Sequence, residues 1–156
     1  MYKRYMAITT EQIKELRDKT GISIGECKKA LEASEGDMAK ALAFLNERAA
    51  AQVGKKADRE LAAGTVAAYV HSNKQVGAMV YLACETDFVS KNEEFMAVAY
   101  DIAMHISAMR PTSKEELLAQ SYIKDGEKTI ADLVSGATQK FGERVEIAEF
   151  GCFAVA

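Results

Sequence analysis

The sequence predicts an α+β fold, a three-helix bundle followed by a core of antiparallel strands with packed helices. Three observations carry this. Val76, Ala78, Val80, Leu82 and Cys84 fall on alternate positions, the period of a strand. Phe95, Val98, Ala99, Ile102, Ile106 and Met109 recur at helical spacing. Ahead of both lie three short segments with apolar stripes and tight glycine links. Strands first, helices between, and one strand returning is the order of helices layered on an antiparallel sheet.

The first domain spans about residues 8–51. Thr9 with Gln12 makes a capping-box pattern, and Ser23 with Glu26 makes a second. The first helix presents Ile13 and Leu16 and stops at Thr20-Gly21. The second presents Ile24, Cys27, Ala30 and Leu31 and stops at Gly36. Asp37 is an N-cap for the third, which presents Met38, Ala41, Leu42 and Leu45. The result resembles a ubiquitin-associated-type bundle, and a module this small is marginal alone. Residues 52–63 are charged, carry no apolar stripe and read as a linker. The core then occupies 64–156. Val66, Ala68 and Val70 alternate, Ser72 to Gln75 turn the chain, and Val76 to Cys84 return. A helix runs from about Glu93 to Arg110, where Pro111 forbids its continuation. Residues 112–127 read as polar, with short apolar inserts at Leu117-Leu118 and Tyr122-Ile123. Ile130, Leu133, Val134, Ala137 and Phe141 mark a further helix closed by Gly142, and a last strand runs from about Arg144 to Val155.

Composition narrows the function classes. The chain has 156 residues, 49% of them hydrophobic and 28% charged, with a formal net charge of −3. Near balance argues against nonspecific nucleic-acid binding, which needs a basic face; Lys28-Lys29 and Lys55-Lys56 are short. No apolar run approaches the roughly 18 residues of a membrane span. The opening MYKRYM has two basic residues and no long apolar stretch, so it is not a secretory signal. Cys27, Cys84 and Cys152 are far apart and odd in number, which points to a reducing compartment, hence the cytoplasm. Cys27 and Cys84 read as small buried hydrophobes, and Cys152 has the position to cross-link two chains. Histidines and cysteines are not at metal-ligand spacing. Neither a phosphate-cradling glycine motif nor a nucleophile constellation is present, so no cofactor and no enzyme activity are expected. Glu93 and Glu94 support a helix start through its dipole.

The junction Cys84-Glu85-Thr86-Asp87-Phe88-Val89-Ser90-Lys91-Asn92 is where one period gives way to the other. It sets an acid beside a large aromatic in a loop held by a rigid frame, where contact residues concentrate. Two readings follow. Either Phe88 tucks under the sheet and Asp87 helps to cap the helix, which spacing alone favours, or the pair forms a charged apolar wedge for a partner. His105 lies at the edge of its helix's apolar stripe, roughly 80° from the centre. It reads either as a partly packed boundary histidine paired with Asp101 one turn before, or as a contact. Met104 points the opposite way and reads as exposed. His71, beside the turn, reads as a solvated rim histidine. Lys14 and Arg17 face away from Ile13 and Leu16, the usual pattern of a solvated face.

Glu85 to Val89 followed by Asn92 resembles the "TDFV" signature of the elongation factor Ts family, guanine-nucleotide exchange factors for elongation factor Tu. Residues 13–31 (IKELRDKTGISIGECKKAL) are similar to that family's N-terminal helical module. IAMHI at 102–106 with Pro111 is similar to its "IAMHVA…P" helix, and LLAQSYIKD at 117–125 with GERVEIAEFGCF at 142–153 to its closing segment. The four stretches cover most of the chain in the family's order, and the family-like pattern begins near Met6. The resemblance implies a partner, elongation factor Tu in its GDP-bound and nucleotide-free states. It implies contacts from Lys14, Arg17 and Ile24 to the partner's GTPase domain. Thr86, Asp87, Phe88 and Val89 then approach the partner's magnesium and phosphate site, and Met104 and His105 its phosphate-binding loop. Two methionines are common after the first glycine link in the family; here the positions read Ile24-Gly25, so one apolar knob is kept and one lost. The family also usually has a further helical stretch between the "MHI…P" helix and "LLAQ". Here Arg110-Pro111 runs almost directly into Ser113 and Leu117. That resembles short, single-core members, and implies a homodimer in which Asp87-Phe88 of one chain and His105 of the other serve one partner. The competing reading is a protein-binding module that uses the N-terminal bundle, without exchange activity.

Overall fold

A computed structural model describes residues 7–156; the opening MYKRYM lies outside the described residues. The chain forms two compact units, one ending at Lys55 and one running from Lys56 to Ala156.

The first unit is helical: α1 (Thr10–Thr20), α2 (Ile24–Ala33) and α3 (Met38–Lys55). Its caps follow local chemistry. Thr9 and Gln12 form a complete capping box. Gly21 ends α1 at φ 68°, and its N–H donates to the Arg17 carbonyl. Asp37 Oδ1 accepts the Lys40 N–H at 3.0 Å. The second expected box forms only by half. Ser23 accepts the Glu26 N–H, but the Glu26 carboxylate turns to Lys29 and Arg48 instead, each at 3.0 Å. Leu16, Ile22, Cys27, Ala30, Leu31, Ala41 and Leu45 make the core. Ile24, expected on that stripe, is 56% exposed, and Ile22 from the link fills the interior in its place. Ile24 opens α2, so its side chain lies outside the face that meets α3. The third helix also continues to Lys55, through residues that read as charged linker.

The second unit is α+β, as the periodicity predicts. Strands β1 (Ala63–Val70), β2 (Val76–Cys84) and β5 (Glu146–Ala154) form an antiparallel sheet in the order β1-β2-β5. The alternating residues of β2 point inward: Ala78, Val80, Leu82 and Cys84 are buried. Those of β1 do not. Val66, Ala68 and Val70 form its outer face, while Ala63, Ala67 and Tyr69 pack on the core. Between β2 and β5 lie α4 (Asp87–Ser90), α5 (Glu93–Met109), α6 (Lys114–Ala119), the hairpin β3 (Ser121–Tyr122) and β4 (Asp125–Thr129), and α7 (Ile130–Phe141). The stretch 112–127, read as polar, thus holds a helix and a hairpin; its elements are too short for periodicity to register. Arg110 ends α5 in the left-handed region at φ 46°, just before Pro111. Gly142 ends α7 at φ 71°.

Phe95, Ala99, Ile102, Ala103 and Ile106 of α5 meet the inner face of the sheet, and Phe95 packs edge-on against Phe141 of α7 at 5.6 Å. Phe95 is fully buried. Phe95→Ala is expected to cost about 3–5 kcal/mol, by lost transfer energy and an unfilled cavity. The check is the midpoint of urea unfolding followed by near-ultraviolet circular dichroism. A shift worth under 1 kcal/mol contradicts this packing.

Candidate functional site

The end of β2 carries the chain out of the core at Cys84, and α5 brings it back at Phe95. Between them sits the one-turn helix α4, which has two sides. Val89 and Ser90 are buried, and Phe88 is 87% exposed. Neighbouring residues on a helix are about 100° apart, so anchoring Val89 inward turns Phe88 to solvent. The turn is pinned from below: the Thr65 hydroxyl donates to the Ser90 carbonyl at 2.7 Å, and the Ser90 hydroxyl to the Asp87 carbonyl at 3.1 Å. Asp87 is exposed, and its carboxylate lies 3.6 Å from the equally exposed Lys91 ammonium. Such a pair contributes little to stability.

The reading favoured by spacing alone is therefore overturned. Phe88 does not tuck under the sheet, because Val89 and Phe95 occupy that space. Asp87 does not cap α5 either; Asn92 does, its Oδ1 accepting the Glu94 and Phe95 N–H groups at 2.8 and 3.4 Å. Val89, expected among the contact residues, is an anchor in the core.

Thr86 precedes α4, but its hydroxyl makes no bond to the helix. It donates to Glu143 Oε1 at 2.5 Å, while Glu143 Oε2 accepts the backbone N–H groups of Glu85 and Thr86 at 3.0 Å each. Glu85 answers by accepting the Arg144 N–H at 2.5 Å. Sequence reasoning missed these partners: Glu143 stands 57 residues beyond Thr86, and no spacing rule joins them.

His105 also departs from expectation. It is fully buried, and its partner is not Asp101. Nε2 lies 2.9 Å from Gln120 Oε1, and Nδ1 accepts the Ile123 N–H at 3.3 Å. With Nδ1 accepting, the proton sits on Nε2 and the ring is neutral. Burial lowers the histidine's pKa, against the opposing pull of Gln120. Asp101 pairs with Lys124 at 2.6 Å. The cause is tertiary: the segment around Gln120 to Ile123 lies over this side of α5. Tyr122, tilted against the His105 ring at 6.2 Å, has its hydroxyl pKa raised by burial and by Asp101. Met104, expected to be exposed, is half-buried.

Phe88 and His105 are not neighbours. His105 lies twelve residues into α5, about 18 Å along its axis at 1.5 Å per residue. In the first unit Lys14, Arg17 and Ile24 are all exposed. A second apolar surface is the outer face of the sheet, where Val66, Val70, Met79, Tyr81 and Phe153 stand in solvent, Phe153 at 85% exposure. Cys27 and Cys84 are buried and Cys152 half-buried, all three free; burial pushes the Cys27 and Cys84 thiols up. Among the described residues there is no cluster of side chains fit to hold a metal ion, and no helix long and apolar enough to cross a membrane.

Comparison with known proteins gives consistent matches. A family model described as "Elongation factor TS" matches residues 85–155, and one described as "Elongation factor Ts, mitochondrial, N-terminal" matches residues 1–54. The chain is 36% identical to an elongation factor Ts of Leptospira biflexa over 195 aligned positions, covering 96% of this chain and 98% of that protein. It is 42% identical to one of Thermosipho melanesiensis, covering 87% and 77%. It is 38% identical to one of Thermodesulfovibrio yellowstonii, covering 96% and 97%. An alignment of 195 positions exceeds the 156 residues available here, so the Leptospira protein carries internal residues that this chain lacks.

A neutral buried histidine whose pKa is lowered in the fold ties stability to pH. The unfolded chain takes up a proton as pH falls below about 6.5, before the folded chain does, so stability is full above that value and drops as pH falls through it. His105→Asn keeps an acceptor for the Ile123 N–H but cannot titrate. It is expected to cost about 1–3 kcal/mol at pH 7, by stranding Gln120, and to flatten the decline between pH 7 and 5. Urea midpoints at both pH values check this; an equally steep decline in the variant refutes it.

Proposed function

The chain belongs to the elongation factor Ts family, and with it to translation elongation; from that premise we propose that it is a guanine-nucleotide exchange factor. It binds elongation factor Tu in the GDP-bound and nucleotide-free states and promotes GDP release, in the cytoplasm, with no covalent chemistry of its own. The observation that carries this reading is the exposure of Phe88 beside Asp87 on a turn whose other side is anchored in the core.

The physics is linkage. A factor that binds the nucleotide-free partner more tightly than the nucleotide-bound one must weaken nucleotide binding by the same factor. Burying one phenylalanine supplies roughly 1.5–3 kcal/mol. If that energy is released only when the partner's magnesium and phosphate site has opened, it becomes coupling of about 10- to 150-fold for one side chain. Asp87 adds a carboxylate that competes for the magnesium ligands. Lys14, Arg17 and Ile24 dock the partner's GTPase domain from the first unit. Thr86 contributes through the frame of the tip and Val89 as its anchor. Met104 supplies the surface of the second patch, and His105 supports it from beneath by holding Gln120 and Ile123 against α5.

The chain acts as a homodimer in this reading. It has one core, and the tip and the second patch lie far apart on it. The outer sheet face offers an apolar surface whose charged members among the paired positions, Glu149 and Glu146, lie toward the end away from Phe153. An apolar face with its carboxylates confined to one end suits an isologous contact with a second copy.

Phe88→Ala is expected to slow stimulated release of fluorescent GDP from elongation factor Tu at least tenfold, with the melting temperature unchanged because the ring touches little of its own chain. Release at the unmodified rate rejects the wedge. Phe153→Asp is expected to convert dimer to monomer in sedimentation equilibrium and to lower exchange. A monomeric protein that exchanges GDP at full rate rejects the symmetric arrangement.

A further inference from the structure

We propose that Glu143 is a positioning residue for the exchange tip, acting as an external cap that holds Asp87 and Phe88 in their outward pose. The inference rests on the reading of that tip as the partner-opening element.

The backbone explains the need. The register of β1 with β2 ends at the Ala63–Cys84 pair, so the N–H groups of Glu85 and Thr86 have left the ladder. The half-buried Glu85 N–H needs an acceptor, and the exposed Thr86 N–H beside it shares the same one. The helix that follows has four residues, too few to hold itself by propagation. Thr86 would ordinarily cap it, yet its hydroxyl points away. One carboxylate meets all three demands: Glu143 takes both N–H groups on Oε2 and the Thr86 hydroxyl on Oε1. Hydrogen bonds to an ionised acceptor are about twice as strong as neutral ones.

Glu143 is itself fixed. It follows Gly142, whose N–H closes α7 on the Thr138 carbonyl and whose own carbonyl accepts the Lys56 ammonium. The next residue, Arg144, donates its N–H to Glu85 and its guanidinium to Glu146 and to the Arg59 carbonyl, at 2.6 and 2.7 Å. Glu143 therefore holds the Glu85 and Thr86 backbone while Glu85 holds that of Arg144, a clasp joining the start of the tip to the end of α7. Without Glu143, Val89 still anchors the turn and the Thr86 carbonyl still accepts the Ser90 N–H and the Cys84 thiol, but the Glu85 and Thr86 N–H groups and the Thr86 hydroxyl lose their common acceptor. The ring then samples many directions, and the partner's pocket meets it in the right one only part of the time.

The test compares Glu143→Ala, Glu143→Gln and Phe88→Ala in the full chain. The first readout is GDP release from elongation factor Tu as a function of factor concentration, and the second is amide hydrogen exchange in the free protein. Glutamine retains an oxygen for the two N–H groups, and its amide donates to the Thr86 hydroxyl oxygen. Glu143→Ala is expected to lower the saturating release rate at least tenfold, with the half-saturating concentration changed less than threefold. Glu143→Gln is expected to stay within twofold of the unmodified protein. In Glu143→Ala the Glu85 and Thr86 amides exchange at least tenfold faster, while those of Ile102 and Ile106 are unchanged, which a general loss of stability does not produce. Normal release by Glu143→Ala alongside a defective Phe88→Ala overturns the clasp and leaves the tip standing. Normal release by Phe88→Ala overturns the tip itself. Failure of glutamine to rescue, or unaltered Glu85 and Thr86 amides, also overturns the clasp. If Glu143→Ala does not fold, Glu143→Asp, one methylene too short to reach, carries the same criteria.

Discussion

The contact between α5 and the inner face of the sheet is the constraint from which the rest of the second unit follows. Phe95, Ala99, Ile102, Ala103 and Ile106 lie against Val80, Leu82 and Ile147. A three-stranded sheet of this size needs a partner for its apolar face, and a helix owes most of its stability to the face it buries. Each element here supplies what the other lacks. The same contact sets the ends of the connection at Cys84 and Phe95. The chain between them must leave the interior, touch it at Val89 and Ser90 and return. Phe88 faces outward because its neighbour is the one that faces in.

An aromatic ring left in water contributes little to folding. Its burial energy is not used by the fold, and in the proposed role the anchored turn beneath it leaves little to order when a partner covers it. The tip is held by polar groups from distant segments as well as by the hydrogen bonds of its own single turn. The outer sheet face has the same character: Val66, Val70, Met79 and Phe153 are apolar, exposed and held in register by strands whose other face is sealed. Both surfaces are apolar groups on a frame stabilised elsewhere, so they stay exposed without loss of the fold.

His105 shows the opposite economy. Its two nitrogens are both satisfied inside the chain, so the ring costs nothing as a neutral group and becomes costly only when charged. It ties α5 to the segment ahead of the hairpin turn, beside the buried Tyr122. A buried polar network of this kind helps to specify where the segment must lie.

Much of this was legible in the chain. The period-2 run of β2, the 3.6 period of α5, the stop at Pro111 and the glycine ends at Gly21 and Gly142 are local chemistry, and local chemistry is written residue by residue. The resemblance around Thr86 to Val89 marked the candidate site for the same reason: a contiguous motif needs no fold to be seen. What the tertiary structure alone decided is direction. Whether Phe88 or Val89 enters the core, whether His105 at the edge of a stripe is wet or sealed, and which face of β1 is covered all depend on segments far away in sequence. The partners Glu143, Gln120 and Ile123 come from such segments. A side chain's period says that it has a face; only the packing of distant elements says what that face meets.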